Sequence, residues 1–159
     1  MAVQSRSGRQ RGSMSTTVRE LMGPPSPSVH HEESVVTAAR RLRAHATAAV
    51  PVCGDLGVYV GMLTTKDIID RCVADGQDPR TTTAGSLILS PGPVVHPDDD
   101  AGSTVLDLLL AQPVPMLPVV DDGQLVGVIT LDAIAEHLVD TIVDDDDIAG
   151  SDRDWWRGE

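Results

Sequence analysis

The chain has 159 residues, of which 41% are apolar and 2% aromatic, and its formal net charge is −12. That length supports one compact domain with an aliphatic core. The negative charge, with Lys66 as the single lysine, argues against nucleic acid or an anionic membrane as a partner. No apolar run approaches the roughly 20 residues that span a bilayer, and the polar, arginine-containing start lacks the apolar middle of a secretory signal. We therefore expect a cytoplasmic protein.

At the two ends of the chain, apolar residues do not recur at helical or strand spacing. Residues 1–15 are rich in Arg, Ser, Gly and Gln, and residues 144–159 are rich in Asp, as is typical of disordered tails. Between them the sequence predicts repeat one at 16–80 and repeat two at 81–143. Cys53 and Cys72 lie in apolar stretches, which favours buried free thiols over a disulfide framework.

The region between the tails repeats itself after 66 residues. The same residue types recur at this spacing in Thr17 and Thr83, Val29 and Val95, His30 and His96, Gly61 and Gly127, Thr64 and Thr130, and Ile68 and Ile134. The register slips by one residue where Val50-Pro51-Val52 pairs with Leu117-Pro118-Val119. Two copies of one structural unit explain this pattern.

Each copy predicts the same elements in the same order. In repeat one these are a short helix at 17–22, an extended segment at 27–30, a helix at 34–46, strands at 49–53 and 58–63, and a last helix from Thr64. In repeat two they are 83–89, 93–96, 101–111, 116–120, 125–129 and a last helix from Thr130. Neither copy has enough strands to bury both faces alone. The sequence therefore predicts an α+β fold in which two β-α-β-β-α units pack on each other.

Two motifs occur once in each copy. An apolar-Pro-Val strand precedes an acidic turn, and a Gly-apolar-apolar-Thr sequence opens the last helix; they are Val50–Val52 with Asp55, Leu117–Val119 with Asp122, Gly61–Thr64 and Gly127–Thr130. With these motifs the chain resembles a CBS-domain pair, the fold named after cystathionine β-synthase. In order and length it is most similar to standalone CBS pairs of the hypoxic-response type.

The resemblance implies a regulatory, non-enzymatic module in which tandem CBS repeats form two clefts related by a pseudo-twofold axis. Clefts of this family commonly hold adenosine-type ligands, namely AMP, ADP, ATP or S-adenosylmethionine. The resemblance also implies a homodimer.

The sequence Thr64-Thr65-Lys66-Asp67 matches the family's Thr/Ser-x-x-Asp motif. A carboxylate can accept both ribose hydroxyls, while a helix N-terminus presents free N–H groups to a phosphate. The same spacing also fits a capping box, in which Thr64 caps the helix and Asp67 reaches back to the cap amide. Ligand contact and capping both remain open at this point.

Repeat two departs from this motif. Leu131, Asp132 and Ala133 follow Thr130, so the carboxylate comes one residue early and is rotated by about 100° around the helix. We expect it to point away from the cleft, leaving at most one good nucleotide site per chain. The candidate ligand-binding residues are Thr64, Asp67, Lys66, Val50, Pro51, Val52, Pro27, Ser28 and Thr130.

Cations are scarce where nucleotide-binding relatives often carry them. Just before the two apolar-Pro-Val strands the chain has Ala48-Ala49 and Pro115-Met116, although Lys66 and Arg43 could partly substitute. A phosphate without a cation loses charge-assisted hydrogen bonds worth roughly 1.5–3 kcal/mol each. The pattern favours a weakly charged adenosine ligand, a low-affinity nucleotide or no ligand over tight ATP binding.

Two other chemistries are disfavoured. The run from His30 to Glu33 contains metal-ligand types, but adjacent histidines on an extended segment point to opposite sides, so we interpret it as a solvated helix start without a metal. No nucleophile-and-base motif or glycine-rich phosphate loop appears, so no enzyme is predicted. The alternative function is a ligand-free structural or interaction module, with Trp155 and Trp156 in the acidic tail docking on an unidentified protein partner.

Overall fold

The computed structural model describes residues 15–145, so the predictions made for 1–14 and for the tail with Trp155 and Trp156 lie outside the described residues. The first half contains α1 (Val18–Leu21), β1 (Val29–His30), α2 (Val35–Ala44), β2 (Ala49–Cys53), β3 (Tyr59–Thr64) and α3 (Thr65–Ile68), which continues as a π-helical segment at Ile69–Val73. The second half contains a 3₁₀ turn (Gly85–Leu87), α4 (Ser103–Leu110), β4 (Met116–Asp121), β5 (Gln124–Thr130) and α5 (Leu131–Asp145).

These elements form two small sheets, as predicted for an α+β fold of tandem repeats. In the first, β1 pairs in parallel with β2, which pairs antiparallel with β3; in the second, β4 and β5 are antiparallel. The extended segment of the second copy is reduced to a single parallel bridge between Val95 and Val119. The sequence predicted an extended segment at equivalent positions in both copies. The positions are correct, but the second copy has a single bridge where the first has a two-residue strand.

The start of each predicted repeat packs into the core of the other. Val18 belongs to the core of the second half, and its amide donates to the carbonyl of Asp99 at 2.9 Å. Leu87 belongs to the core of the first half, and the amide of the nearby Ala84 donates to the carbonyl of Glu33 at 2.8 Å. Because the ends are exchanged, cutting the chain between 80 and 81 would open both cores.

The two cysteines occupy buried positions in the core of the first half. Cys53 is 8% exposed at the end of β2, Cys72 is fully buried, and both are free thiols. Burial raises the pKa of the Cys53 thiol. Among the described residues, no helix combines the length and apolar composition needed to cross a membrane.

One ion pair fixes the turn between β1 and α2. Arg41 donates from Nη1 and Nη2 to the two carboxylate oxygens of Glu33, with Nη2–Oε1 at 2.8 Å, and also donates to the carbonyl of Ser28 at 2.8 Å. The amide of His30 donates to Glu33 Oε2 at 2.8 Å. The hydrogen bond from Arg41 holds the pKa of Glu33 below its ordinary value of 4.5.

This pair predicts a pH-dependent contribution to stability. Because the folded pKa of Glu33 is depressed, its stabilisation is present above pH 4.5 and is lost as the pH falls through the folded value. Glu33→Gln should lower the melting temperature at pH 7 and progressively less below pH 4.5, as measured by circular dichroism. Glu32→Gln, at an exposed neighbour, should change little, and a pH-independent effect of Glu33→Gln would contradict the prediction.

Candidate functional site

A cavity of about 350 Å³ lies between the two halves of the protein. Its walls come from the junction of β3 and α3, from the segment at 88–93 that connects the halves, and from residues 112–118 leading into β4. This volume falls in the range of small-molecule sites, which runs from roughly 300 to 1,000 Å³.

Thr64 and Asp67 face each other at the start of α3. The hydroxyl Oγ1 of Thr64 accepts from the amide of Asp67 at 3.1 Å, and the amide of Thr64 donates to Oδ2 of Asp67 at 3.0 Å. This is a reciprocal capping box. The capping interpretation is therefore realised, and both residues also line the cavity.

Capping leaves the second oxygen of the Asp67 carboxylate available for another partner. Oδ1 lies 3.6 Å from Nη1 of Arg71, and the Asp67 side chain is 22% exposed. A carboxylate accepts at both oxygens, so capping through Oδ2 and ligand contact through Oδ1 are compatible. The two alternatives that the sequence left open do not exclude each other.

Arg71 is a cavity residue that the sequence reasoning missed. It lines the cavity and donates from Nη1 to the carbonyl of Leu87 at 2.7 Å. Its spacing of four residues from Asp67 was the available signal, because residues at i and i+4 share one face of a helix. Arg71 gives the cavity a cation beside the carboxylate.

The other cations and the helix amides that the sequence suggested offer less to a phosphate than Arg71 does. Lys66 lines the cavity but is ion-paired with Asp70, and Arg43 lies in a separate groove beside α2. The amide of Thr65 donates to the carbonyl of Ala48 at 3.0 Å. Two of the first three amides of α3, including that of Asp67 in the capping box, are thus bonded within the protein. The helix start is a weaker phosphate site than the motif suggested.

The remaining predicted residues lie outside this cavity. Val50, Pro51 and Val52 are buried in β2 and serve the core, while Pro27, Ser28 and Thr130 are absent from the cavity walls. Their positions are taken by counterparts from the second copy, which are Pro93, Leu117 and Pro118. These residues come from the second copy, because the Thr-x-x-Asp helix of the first copy opens toward the strands of the second.

The equivalent place at the second copy is partly closed. Thr130 caps α5 by accepting from the amide of Ala133 at 3.3 Å, but the third helical position offers no carboxylate. Gly23 pairs with Val128 of β5 through two backbone hydrogen bonds of 2.8 and 3.2 Å. Asp132 lies in a surface depression along α5 and is absent from the walls of the cavity between the halves.

A tyrosine fixes the connecting segment over the cavity. The hydroxyl of Tyr59 donates to the carbonyl of Pro91 at 3.0 Å, and burial raises the pKa of Tyr59. Within the described residues, no backbone bridge joins Leu89 to Met62, the pair equivalent to Gly23 and Val128. The connecting segment is therefore held by the Tyr59 side chain and not by backbone pairing with β3. Without that pairing, the space between the segment and β3 remains open as the cavity.

A family model described as CBS domain matches residues 18–74 and again residues 84–140. The chain belongs to the CBS-domain family. A curated relative, hypoxic response protein 1 of Mycobacterium tuberculosis, is 36% identical over 124 residues, which cover 77% of this chain and 85% of the relative. These findings confirm the resemblance that the repeated motifs indicated.

Solved CBS pairs share the fold. The crystal structure of Hypoxic Response Protein I with two coordinated zinc ions is 34% identical, has a TM-score of 0.70 and covers 77% of this chain and 98% of that one. CBSX2 of Arabidopsis thaliana in complex with AMP is 24% identical, has a TM-score of 0.64 and covers 79% of this chain and 98% of that one.

This CBS pair repeats a histidine–aspartate contact in its two halves. His30 Nε2 lies 3.0 Å from Asp55 Oδ1, and His96 Nε2 lies 3.0 Å from Asp121 Oδ1. In both histidines, Nδ1 accepts a hydrogen bond from the backbone amide two residues later in the chain. The distances are 3.3 Å from Glu32 to His30 and 3.1 Å from Asp98 to His96. In a neutral ring, accepting at Nδ1 goes with an N–H at Nε2, which can donate to the aspartate. In the first half, His31 lies close enough to form a three-residue group with His30 and Asp55. The expectation that the two adjacent histidines point to opposite sides is therefore wrong, because β1 ends at His30 and the chain turns at His31.

Proposed function

We propose that this CBS pair is a non-enzymatic, cytoplasmic sensor that binds an adenosine-containing ligand in the cavity between its repeats. The observation that carries the proposal is the Asp67 carboxylate, which lines the cavity and keeps Oδ1 free of the capping box. A ribose hydroxyl pair donates to such an oxygen through charge-assisted hydrogen bonds. Filling the cavity would join both repeats through one ligand.

The charges around the cavity favour a ligand with few phosphates. Arg71 supplies one guanidinium beside Asp67, whereas the charge of Lys66 is balanced by Asp70. One cation suits a nucleoside or its monophosphate, and the net charge of −12 opposes a triphosphate. AMP is therefore the first ligand to test, and a protein of the same fold, CBSX2, has been crystallised with AMP.

A thermal-shift panel with adenosine, AMP, ATP and S-adenosylmethionine tests this function. A ligand at 100 times its dissociation constant adds about 2.7 kcal/mol of stability, or roughly 5–10 °C for a domain of this size. Asp67→Ala should abolish the shift, because the ribose acceptor is removed. Asp132→Ala should keep it, because that carboxylate lies outside the cavity.

The alternative function, a ligand-free structural or interaction module, predicts a different pattern. The capping box of Thr64 and Asp67 favours it, because the same residues then serve the fold alone. Asp67→Ala would still lower the melting temperature of the free protein, through a capping loss of about 0.5–2 kcal/mol. No adenosyl compound would shift either form, and the module would act through a protein partner.

We further propose that the module is a homodimer. Several apolar side chains on its helices are more than half exposed, including Ile69 at 59% and Val73 at 62%, and a second chain would cover them. Light scattering at micromolar concentration should give twice the chain mass. A monomer mass would overturn the dimer but not the ligand site.

One contact argues against zinc at the metal-ligand group found among the described residues, which is His30, His31 and Asp55. His30 would have to bind zinc through Nε2, which requires the proton to move to Nδ1, yet Nδ1 already accepts from the Glu32 amide. Histidines that bind metals donate their other ring N–H to an acceptor, not to a donor.

A further inference from the structure

The connecting segment over the cavity has a counterpart at residues 22–27, which lies 66 positions earlier in the chain. The counterpart passes beside β5 as the connecting segment passes beside β3. A Cβ on Gly127 would lie 2.9 Å from Sδ of Met22, and a Cβ on Gly61 would likewise meet Cγ2 of Ile88. The two segments therefore approach their strands at equivalent residues.

The two segments differ at the next residue. The amide of Gly23 donates to the carbonyl of Val128 at 2.8 Å, and the amide of Val128 donates back to Gly23 at 3.2 Å. Leu89 is the equivalent of Gly23, yet in the described part of the chain no bridge joins it to Met62. The second copy is thus closed at the place where the first copy has its cavity.

The connecting segment also lies one residue out of the register of its counterpart. A Cβ on Gly127 would meet the carbonyl oxygen of Gly23 at 2.6 Å, whereas a Cβ on Gly61 would meet that of Ser90 at 3.2 Å. Leu89, and not Ser90, is the equivalent of Gly23. A shift of the segment by one residue would give the two copies the same register.

Met62 offers an unused backbone donor and acceptor for such a shift. Met62 lies opposite Pro51 in its ladder, as Val128 lies opposite Pro118. Proline has no N–H, and residues of a pair that is not hydrogen-bonded point their own N–H and C=O away from the partner strand. Val128 bonds both groups to Gly23, but outside the ladders no backbone hydrogen bond of the described residues involves Met62. Met62 also lines the cavity.

A single side-chain contact distinguishes the open copy from the closed one. The hydroxyl of Tyr59 donates to the carbonyl of Pro91 at 3.0 Å and so fixes the connecting segment in its shifted register. The equivalent of Tyr59 in the second copy is Leu125, which has no hydroxyl. The copy that has this hydrogen bond is open, and the copy that lacks the hydroxyl is bridged.

We propose that the connecting segment is a strap that closes the cavity by pairing Leu89 with Met62, as Gly23 pairs with Val128, and that the Tyr59 hydroxyl holds the strap open. The consequence for ligands rests on the sensor function proposed above. A closed strap occupies the space between itself and β3, so an adenosyl ligand binds only the open form. The apparent dissociation constant then rises in proportion as the open fraction falls.

Tyr59→Phe tests the strap, because it removes the hydroxyl and keeps the ring. If closure then reaches about 70–90% of the molecules, the apparent dissociation constant for AMP should rise by about three- to tenfold. Exchange of the Met62 amide hydrogen, which requires the open form, should slow by the same factor without any ligand. Isothermal titration and hydrogen–deuterium exchange followed by NMR measure the two quantities.

A second substitution at Leu89 shows whether pairing causes both effects. Leu89→Pro removes the N–H that closure needs, and Ile88 before it already has the extended φ of −83° and ψ of 117° that a residue before proline adopts. Tyr59→Phe with Leu89→Pro should bring Met62 exchange and AMP binding back to within about twofold of the wild type. Tyr59→Phe with Leu89→Ala is the matched control, since it trims the side chain, keeps the N–H and should stay slow in exchange and weak in binding.

The two readouts separate the strap from the sensor function. A segment that merely loosens would leave Met62 exchange in Tyr59→Phe unchanged or faster, and that result would overturn the strap. Failure of a folded Leu89→Pro double variant to restore exchange would overturn it as well. A wild type that binds no AMP would overturn the sensor function, while the exchange rates of the wild type and Tyr59→Phe would still decide whether the strap closes.

Discussion

Replacing Leu63 with alanine is expected to lower the free energy of unfolding by about 2–5 kcal/mol, the largest effect of any single change discussed here. Leu63 is fully buried in β3, opposite Val50 of β2, and directly precedes the helix cap at Thr64. The substitution leaves a cavity beneath the strand that positions the capping box. Urea unfolding followed by circular dichroism measures the change.

Leu56 provides the matched control for this core substitution. It is the same residue type at a hairpin tip and is 91% exposed, so Leu56→Ala should change stability by no more than about 0.5 kcal/mol. Equal losses from Leu63→Ala and Leu56→Ala would show that the core is not organised around β2 and β3 as described.

Gly127→Ala is expected to lower the free energy of unfolding by about 1–3 kcal/mol. A Cβ at this position would lie 2.6 Å from the carbonyl oxygen of Gly23 and 2.9 Å from Sδ of Met22. The nearest atom is backbone, so the contact can be relieved only by separating the Gly23–Val128 bridge. The melting temperature and denaturant midpoint report this loss.

Gly102 is the control for Gly127. Its Cβ would approach only the flexible carboxylate of Asp100, at 3.3 Å, and its φ of −85° is accessible to alanine. Gly102→Ala should therefore be close to neutral. A neutral Gly127→Ala would contradict the close approach of the segment before β1 to β5.

Periodicity and the 66-residue repeat predict most of the fold. The strand at 49–53 has the bounds predicted for it, and Ser34 caps α2 by accepting from the amide of Thr37 at 3.2 Å, as its residue type suggests. The exchange of the segments around Val18 and Leu87 is not predictable in this way. It depends on contacts between residues about 80 or 50 positions apart, and local pattern carries no information about which copy supplies a partner.

The same limitation affects the candidate site. Thr64 and Asp67 are identified from a short motif on one helix, because their geometry is local. Pro93 and Pro118 enter the cavity from the other repeat, so a list built within one copy names Pro27 and Pro51 in their place. Arg71 lies beyond the motif, and only the helical spacing from Asp67 marks it.

Isothermal titration of AMP and adenosine into the wild type, Asp67→Asn and Arg71→Gln tests the sensor function most directly. The Asp67→Asn variant keeps a side-chain carbonyl for the cap but loses the charge that holds the ribose, so binding of both ligands should weaken by about tenfold or more. Arg71→Gln should weaken the binding of AMP by a similar factor and leave the binding of adenosine unchanged, because only AMP carries a phosphate. Absence of binding by the wild type, or binding that neither substitution alters, would contradict an adenosyl site in the cavity between the repeats.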